Sequence, residues 1–242
     1  MGPSQERRAT PNPNHNGLLP HLQAILEILT IATFIATFIL QPFRIPSESM
    51  EPTLLVGDFL LANKQAFSPT GPLDALLPPT TVHRGDIVIF HYPLDPDRAL
   101  IKRVIALPGD RIHLRNGLVF LNGKPLAEPY AIYTPSPPDT FRDDFPSLRH
   151  ADPNADPNWW AQLRRMETRS ETSGLHNEIT VPANDYFVMG DNRNDSEDSR
   201  YWGFVPSNTI IARPLFVYAS MAASPSPTTF LHHLLTTPRI LH

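Results

Sequence analysis

The chain has 242 residues, enough for one domain of ordinary size or for two small ones. With 41% hydrophobic and 18% charged residues, its composition is that of a folded chain and excludes a wholly disordered one. A formal net charge of -4 argues against a nucleic-acid-binding protein, whose contact surface would be basic. The absence of cysteine excludes disulfides, thiolate metal sites and a cysteine nucleophile.

The N-terminal region combines a polar tail with a long apolar segment. Residues 1–21 are expected to form a disordered cytoplasmic tail. Leu22–Phe43 then runs for 22 residues with one charge, Glu27, close to the ~20 residues that span a bilayer. Its apolar residues lie all round a helix instead of forming one stripe, which favours a transmembrane anchor over a buried amphipathic helix.

A cleaved leader is the other interpretation of this segment. Its C-terminal end carries no small-x-small sequence for removal, so we expect an uncleaved anchor. Arg7 and Arg8 precede the segment, whereas only Arg44 follows closely. The positive-inside rule therefore predicts a cytoplasmic N-terminus and puts residues 44–242 on the opposite side of the membrane.

A series of short β-strands is predicted after the apolar segment. Asn116-Gly117 separates two apolar runs within Asp110–Leu121, which is a strong hairpin signal. Several short strands with turn signals between them indicate a mainly β fold, either a barrel or a sandwich. The other predicted strands are Asp58–Lys64, Gly85–Tyr92, Leu100–Ala106, Glu178–Val181, Tyr186–Met189 and Thr209–Tyr218.

Residues 128–176 interrupt the strand pattern. They contain seven prolines, an acidic excess and two adjacent tryptophans, so we expect an irregular insertion with one short helix at Trp159–Glu167. The β domain is accordingly expected to comprise residues 44–127 and 177–223. Residues 224–242 are expected to form a loosely attached tail.

Three segments contain residues suited to catalysis: Ile45–Asp58, Leu100–Asp110 and Gly190–Pro206. A serine such as Ser49 is a poor nucleophile until a base takes its proton. The sequence lacks a Gly-x-Ser-x-Gly element and a His-Glu-x-x-His helix. Lys102 lies among apolar residues whose desolvation would lower its pKa and make it a base. Taken alone, however, a lysine in a strand is usually a surface residue, and a serine near proline usually belongs to a turn.

The three segments resemble, in order, the motifs of the bacterial type I signal peptidases, which are Ser/Lys enzymes that free exported proteins from their leader peptides. The matching patterns are Pro-Ser-x-Ser-Met-x-Pro-Thr-Leu, Lys-Arg-x-x-x-x-Pro-Gly-Asp and Gly-Asp-Asn-Arg-x-x-Ser-x-Asp-Ser-Arg-Tyr-Trp-Gly. Their order and spacing extend the resemblance from about Leu22 to Tyr218. The resemblance implies a β catalytic domain of antiparallel sheets, with its active site at the membrane surface.

The resemblance also implies roles for the matching residues. Ser49 matches the nucleophile and Lys102 the general base. Ser47 matches the hydroxyl that binds the oxyanion together with the Ser49 backbone N–H. Ser196 matches the serine that orients the lysine.

Four further residues have supporting positions in the resemblance. Asp198 and Arg200 match a pair that braces the site, although a plain structural ion pair is the interpretation we favour for them. Ile45 and Ile101 match apolar walls of shallow pockets for small side chains. Two departures, Glu48 in place of a frequent glycine and the inverted order Asn194-Asp195, touch no catalytic position.

The sequence therefore predicts a membrane-bound serine endopeptidase that cleaves signal peptides from exported pre-proteins after a small-x-small site. Its expected partners are signal peptides and the lipid bilayer of the plasma or inner membrane, with the catalytic domain outside the cytoplasm. We expect no metal, no cofactor and no nucleic acid. One alternative is a self-cleaving repressor of similar β fold, which would need a DNA-binding module. The other is a non-catalytic membrane-anchored scaffold, against which the joint presence of Ser49, Lys102 and Ser196 argues.

Overall fold

The computed structural model describes residues 18–64, 81–146, 154–171, 178–221 and 239–240. The chain divides into two compact units, Met1–Ile39 and Leu40–His242. The predicted tails lie outside the described residues, apart from the ends at 18–21 and 239–240.

The described part of the first unit is one helix, α1 (Leu18–Phe38). Its large apolar side chains are exposed on all sides, for example Leu22, Leu26 and Ile28, each 63–66% exposed. Among the helices that the structure describes, none has both the length and the apolar character needed to cross a membrane.

The boundary predicted at Phe43 is wrong, because the helix ends at Phe38 and Leu40–Arg44 forms the first strand. Pro42 cannot continue a helix and disfavours helical geometry in the residue before it. The strand lies at an edge of its sheet, where a proline without an N–H is tolerated.

Among its described residues, the second unit is built from twelve strands, three α-helices and two single 3-10 turns. The strands are β1 (Leu40–Arg44), β2 (Asp58–Asn63), β3 (Ile87–Tyr92), β4 (Asp95–Ala106), β5 (Arg111–Arg115), β6 (Leu118–Leu121), β7 (Lys124–Pro125), β8 (Ile179–Thr180), β9 (Asp185–Met189), β10 (Val205–Pro206), β11 (Ile210–Ser220) and β12 (Arg239–Ile240). The helices are α2 (Thr140–Asp143), α3 (Pro157–Glu171) and α4 (Ser199–Trp202).

These strands form two antiparallel sheets, as the resemblance implied. The larger has the order β1-β2-β11-β3-β4-β9-β10, with β12 also paired to β11, and the smaller has the order β7-β6-β5-β8. Every strand predicted from the sequence overlaps an observed one. The Asn116-Gly117 hairpin is confirmed: it joins β5 to β6, and both residues have positive φ, 51° and 77°.

The insertion is more closely integrated with the β-sheets than its sequence indicates. The predicted helix at Trp159–Glu167 is confirmed within the longer α3. Phe145, Trp159 and Leu163 are buried in a core cluster together with residues of β5, β6 and β9. Residues 147–153 and 172–177 lie outside the described part of the chain.

A second apolar cluster supports the segment that carries Ser49. Met50 and Leu54 are fully buried there beside Leu60 of β2 and Val217 of β11. These buried side chains hold one face of the loop between β1 and β2 against the core. Ser49, on the same loop, contacts β4.

Candidate active site

Ser49 lies in a single 3-10 turn, Glu48–Met50, within the loop that joins β1 to β2. The loop is closed at its base by two backbone hydrogen bonds: Ile45 N donates to Asp58 O at 2.8 Å, and Gly57 N donates to Ile45 O at 2.9 Å. Because the base is closed and Met50 is buried, the turn is held in one position. Glu48, the departure from the motif, is exposed, as a solvent-facing side chain would be.

Lys102 lies in β4, paired with β3 on one side and directly before the residues that pair with β9 on the other. Its Cα partner on β3 is Val88, and the next residue, Arg103, is paired with Met189 of β9. The side chain is only 4% exposed. Its Nζ lies 2.7 Å from Ser49 Oγ, so the two predicted catalytic residues are in direct contact across 53 positions of sequence.

The pKa of Lys102 is lowered from 10.5 to about 8, mainly because burial penalises the charged ammonium. The positive charge of Arg200 acts in the same direction, while the carboxylates of Asp198, Glu197 and Asp191 act against the decrease. A lysine in this environment is partly neutral near physiological pH and can accept a proton.

Ser47 is exposed, and its Oγ lies 3.3 Å from Ser49 Oγ. Ser196 is buried in the same region, but the hydrogen bond that its hydroxyl donates goes to Asp198 Oδ2, at 2.8 Å. Ser196 is thus bonded to Asp198, whose negative charge acts on Lys102.

Asp198 and Arg200 form an ion pair at the N-terminus of α4. Arg200 Nε donates to Asp198 Oδ1 and its Nη2 donates to Oδ2, both at 2.8 Å, and both side chains are buried. Burial alone would raise the pKa of Asp198, but the Arg200 guanidinium and the Gly190 N–H outweigh that effect and hold the pKa below its usual range. A charged carboxylate is thus kept close to Lys102.

Gly190 allows the third motif to approach Ser49 closely. A β-carbon at this position would collide with Ser49 O and Ser196 Oγ and would lie 2.6 Å from Ser196 Cβ. Asn192 N donates to Ser49 O at 3.1 Å. Sequence reasoning assigned Gly190 no role, although its place at the start of the Gly-Asp-Asn-Arg turn was the available signal.

Two further buried ion pairs lie around the site. Arg103 donates from Nε and Nη2 to both carboxylate oxygens of Asp191 at 2.8 and 2.7 Å. Arg193 donates to both oxygens of Glu128 at 2.7 and 2.6 Å. The Tyr130 ring contacts both guanidinium groups, 4.1 and 6.0 Å from their Cζ atoms. Glu128 and Tyr130 belong to the insertion, where sequence reasoning assigned no site residue.

Ile45 and Ile101 lie together in the apolar cluster under the site. Ile45 is 2% exposed, and Ile101 packs against the same cluster. Their pocket role stays a prediction.

A cavity of about 410 Å³ opens above the dyad. It is lined by Ser47, Ser49, Tyr92, Arg98, Leu100, Lys102, Asn154, Asn194, Asp195, Ser196, Glu197, Tyr201 and Trp202. In the ranges that the structure describes, no group of three or more histidine, aspartate or glutamate residues is arranged to hold a metal ion.

Residues 18–219 match the family model described as signal peptidase, peptidase S26. The chain belongs to this family. The resemblance deduced from the three motifs is therefore confirmed, and the chain is an enzyme of the signal peptidase I type.

Curated members of the peptidase S26 family support the same assignment. Signal peptidase I of Pseudomonas aeruginosa strain PAO1 is 34% identical over 216 residues, which cover 84% of this chain and 73% of that protein. Signal peptidase I of Pseudomonas fluorescens is 31% identical, covering 92% and 78% of the two chains. Signal peptidase I of Aquifex aeolicus strain VF5 is 35% identical, covering 80% and 81%.

Proposed function

We propose that this protein is a membrane-bound endopeptidase that removes signal peptides from exported pre-proteins, with Ser49 as nucleophile and Lys102 as general base. The observation that carries the proposal is the 2.7 Å contact between Lys102 Nζ and Ser49 Oγ. A nucleophile and its base need such hydrogen-bond contact for proton transfer.

In the first half of the reaction, neutral Lys102 takes the Ser49 proton as Oγ attacks the scissile carbonyl carbon. The carbonyl oxygen becomes an oxyanion, bound by the Ser49 N–H and the Ser47 hydroxyl. Preorganised donors of this kind are typically worth about 3–4 kcal/mol each. The protonated lysine then gives its proton to the leaving nitrogen, the C–N bond breaks, and the mature protein leaves with a free amino group.

In the second half, the signal peptide is bound to Ser49 Oγ as an ester. Lys102 takes a proton from water, the resulting hydroxide attacks the ester carbon, and the Ser49–acyl bond breaks as the proton returns to Oγ. Ser196 and the Asp198–Arg200 pair contact no reacting atom in this scheme. They act as positioning residues, because Ser196 donates to Asp198 and the charge of Asp198 acts on Lys102.

The substrate is an extended peptide with small residues one and three positions before the cut. Ile45 and Ile101 are not among the residues that line the cavity, but they belong to the apolar cluster next to it and are proposed to limit the size of those residues. An apolar wall of this kind distinguishes substrates by about 1–3 kcal/mol.

We further propose that α1 anchors the enzyme in the plasma or inner membrane, with the catalytic unit outside the cytoplasm. The proposal is supported by the exposed leucine and isoleucine side chains around α1. Exposure of so large an apolar surface to water is unfavourable and marks a surface that binds a membrane or a partner. Arg7 and Arg8 before the helix favour a cytoplasmic N-terminus.

The test uses the full chain, purified in detergent, and a peptide with one Ala-x-Ala sequence. We expect a single cut after the second alanine. Ser49→Ala and Lys102→Met should each lower kcat/KM by about 10³-fold or more, because each removes one half of the dyad. Lys64→Ala and Lys124→Ala are matched controls that keep activity. Full activity in Ser49→Ala, or loss in either control, would exclude the assignment.

A further inference from the structure

One edge of β4 is open next to the catalytic lysine. On the β3 side, β4 is paired along Ala99 to Arg103. On the other side, β9 pairs only with Arg103, Val104 and Ala106. Within the described residues, the segment 98–101 therefore has no strand on that side. An extended peptide binds to such an edge through backbone hydrogen bonds.

Three alternate residues of β4 turn their side chains into the cavity of the dyad. Lys102, Leu100 and Arg98 all line it, and the first two follow the two-residue period of a strand. The pairing with β3 is regular from Ala99 to Arg103, but its register then shifts to Asp95, so that residues 96–98 bulge. At about 3.3 Å per residue, the Arg98 Cα is therefore at most about 13 Å from that of Lys102. A peptide extended along this edge therefore reaches Arg98 about four residues from the bond that meets Ser49.

Arg98 is suited to bind a substrate carboxylate. It is exposed, and in the part of the chain that the structure describes it takes part in no salt bridge. Its Cζ lies 5.6 Å from the centroid of the Tyr92 ring, which in turn contacts Trp202 edge-on at 5.6 Å. This aromatic support limits the freedom of the guanidinium, whose N–H groups suit a carboxylate in two-point contact.

The cavity also carries negative charge, part of it near Arg98, because the carboxylates of Glu197, Asp156 and Asp95 act on Tyr92, the ring that Arg98 faces. Asp195 and Glu197, both exposed, line it on the segment that also carries Ser196. A negative substrate side chain next to these residues would be repelled, whereas one next to Arg98 would be attracted. The charges of the cavity therefore distinguish positions along a bound peptide.

We propose that Arg98 is a specificity residue that favours substrates with an acidic side chain three to five residues from the scissile bond. The inference rests on the proposed endopeptidase function, because it takes the dyad as the position of the cut bond.

The experiment compares peptides that share one Ala-x-Ala cut site and otherwise neutral residues. Asp, Asn or Lys is placed singly at each position up to five residues on either side of the cut, the two alanines excepted. For the wild type we expect kcat/KM to be about three- to five-fold higher with Asp than with Asn at one or two positions three to five residues from the cut. The preference should decrease in 0.5 M salt, because ions screen an exposed pair.

Arg98→Glu should invert the preference at those same positions, so that Lys becomes better than Asp, and Arg98→Gln should remove it. Each variant is compared with its own rate on the all-neutral parent peptide, so that any general effect of the new charge on Lys102 cancels in the ratio. Arg115→Glu, the same change of charge on an exposed residue of the other sheet, is the matched control and should keep the wild-type pattern.

The inference is overturned if the wild type cuts the parent peptide but responds equally to Asp, Asn and Lys at every position. It is also overturned if the preference lies outside the three-to-five range, or if Arg98→Glu behaves like Arg115→Glu. Failure to cut the parent peptide would instead contradict the proposed function.

Discussion

At the scale of single residues, the decisive property is the protonation of Lys102. Only its neutral form can take the Ser49 proton, and its pKa of about 8 leaves a minority of molecules in that form at pH 7. A lysine in water, with a pKa near 10.4, would leave far fewer. Burial at 4% exposure is therefore what makes this side chain a usable base.

Activity is predicted to rise with pH along a limb centred near 8. The sign follows from the base: the folded pKa is lowered, so the active neutral form is lost as pH falls below 8 and is complete above it. The measurement is kcat/KM against pH for the Ala-x-Ala peptide.

Glu197→Gln provides a check on this limb, because it removes a negative charge that favours the protonated lysine and should move the limb to lower pH. A limb centred near pH 6 or below would point to a different base, and a limb near 10.4 to an unburied lysine.

At the scale of elements, the site is made where the Ser49 turn, β4 and the Gly190–Ser196 segment meet. The turn contributes the nucleophile, and the paired centre of β4 contributes the base. The Gly190–Ser196 segment contributes backbone hydrogen bonds: Asn192 N donates to Ser49 O, and Gly190 N donates to Asp198 Oδ2. The geometry of the dyad thus depends on how closely this backbone can approach.

Gly190→Ala is predicted to impair the enzyme although it removes no functional group. The new methyl would meet the Ser49 carbonyl and the Ser196 side chain, so one of the two segments must move. A misplacement of about 1 Å at an active site can cost about 10²-fold in rate. We expect kcat to fall by about that factor, measured with the Ala-x-Ala peptide.

Gly123→Ala serves as the comparison, since a methyl there meets no atom within 4 Å, although the positive φ of 76° makes it mildly strained. It should lower stability slightly and leave kcat unchanged. Equal kcat values for wild type and Gly190→Ala would mean that the two segments can separate without moving the dyad.

Much of this element structure could be predicted, and the exceptions have physical causes. Strands with β-branched residues and the Asn-Gly turn were evident locally. Strand β1 was not, because Leu40–Phe43 continues the apolar run of α1 and is interrupted only by Gln41 and Pro42. The motif resemblance identified both Ser196 and Asp198, but not the hydrogen bond between them, which depends on how the chain folds back at α4. Glu128 and Tyr130 meet arginines from distant segments, and no local pattern predicts such contacts.

At the scale of the whole molecule, the catalytic unit begins at Leu40. Strand β1 is paired with β2 through five residue pairs, from Leu40–Asn63 to Arg44–Phe59. Ser49 follows this strand by only a few residues. The helix can therefore be separated from the enzyme, whereas the strand that follows it cannot.

Two truncations separated by five residues test this boundary. A chain lacking residues 1–39 is predicted to cleave the Ala-x-Ala peptide in detergent and to lose its association with sedimented membranes. A chain lacking residues 1–44 loses β1 as well, exposes the edge of β2, and should aggregate or melt at a clearly lower temperature. Membrane binding by the chain that lacks residues 1–39 would contradict the proposal that α1 is the membrane anchor. Equal melting temperatures of the two truncated chains would contradict the role of β1 in stability.

The three buried arginine–carboxylate pairs limit the mutational paths open to this protein. Replacing one partner alone leaves the other charge buried and unmatched, which costs about 3–5 kcal/mol, a large part of the 5–15 kcal/mol that stabilises a typical domain. Exchange of both partners for apolar residues avoids that cost, but it must pass through a single mutant that folds poorly. Both residues of a pair are therefore expected to be substituted together or not at all. A screen of single substitutions would wrongly indicate that these positions tolerate no change. The pairs are Arg103–Asp191, Arg193–Glu128 and Arg200–Asp198.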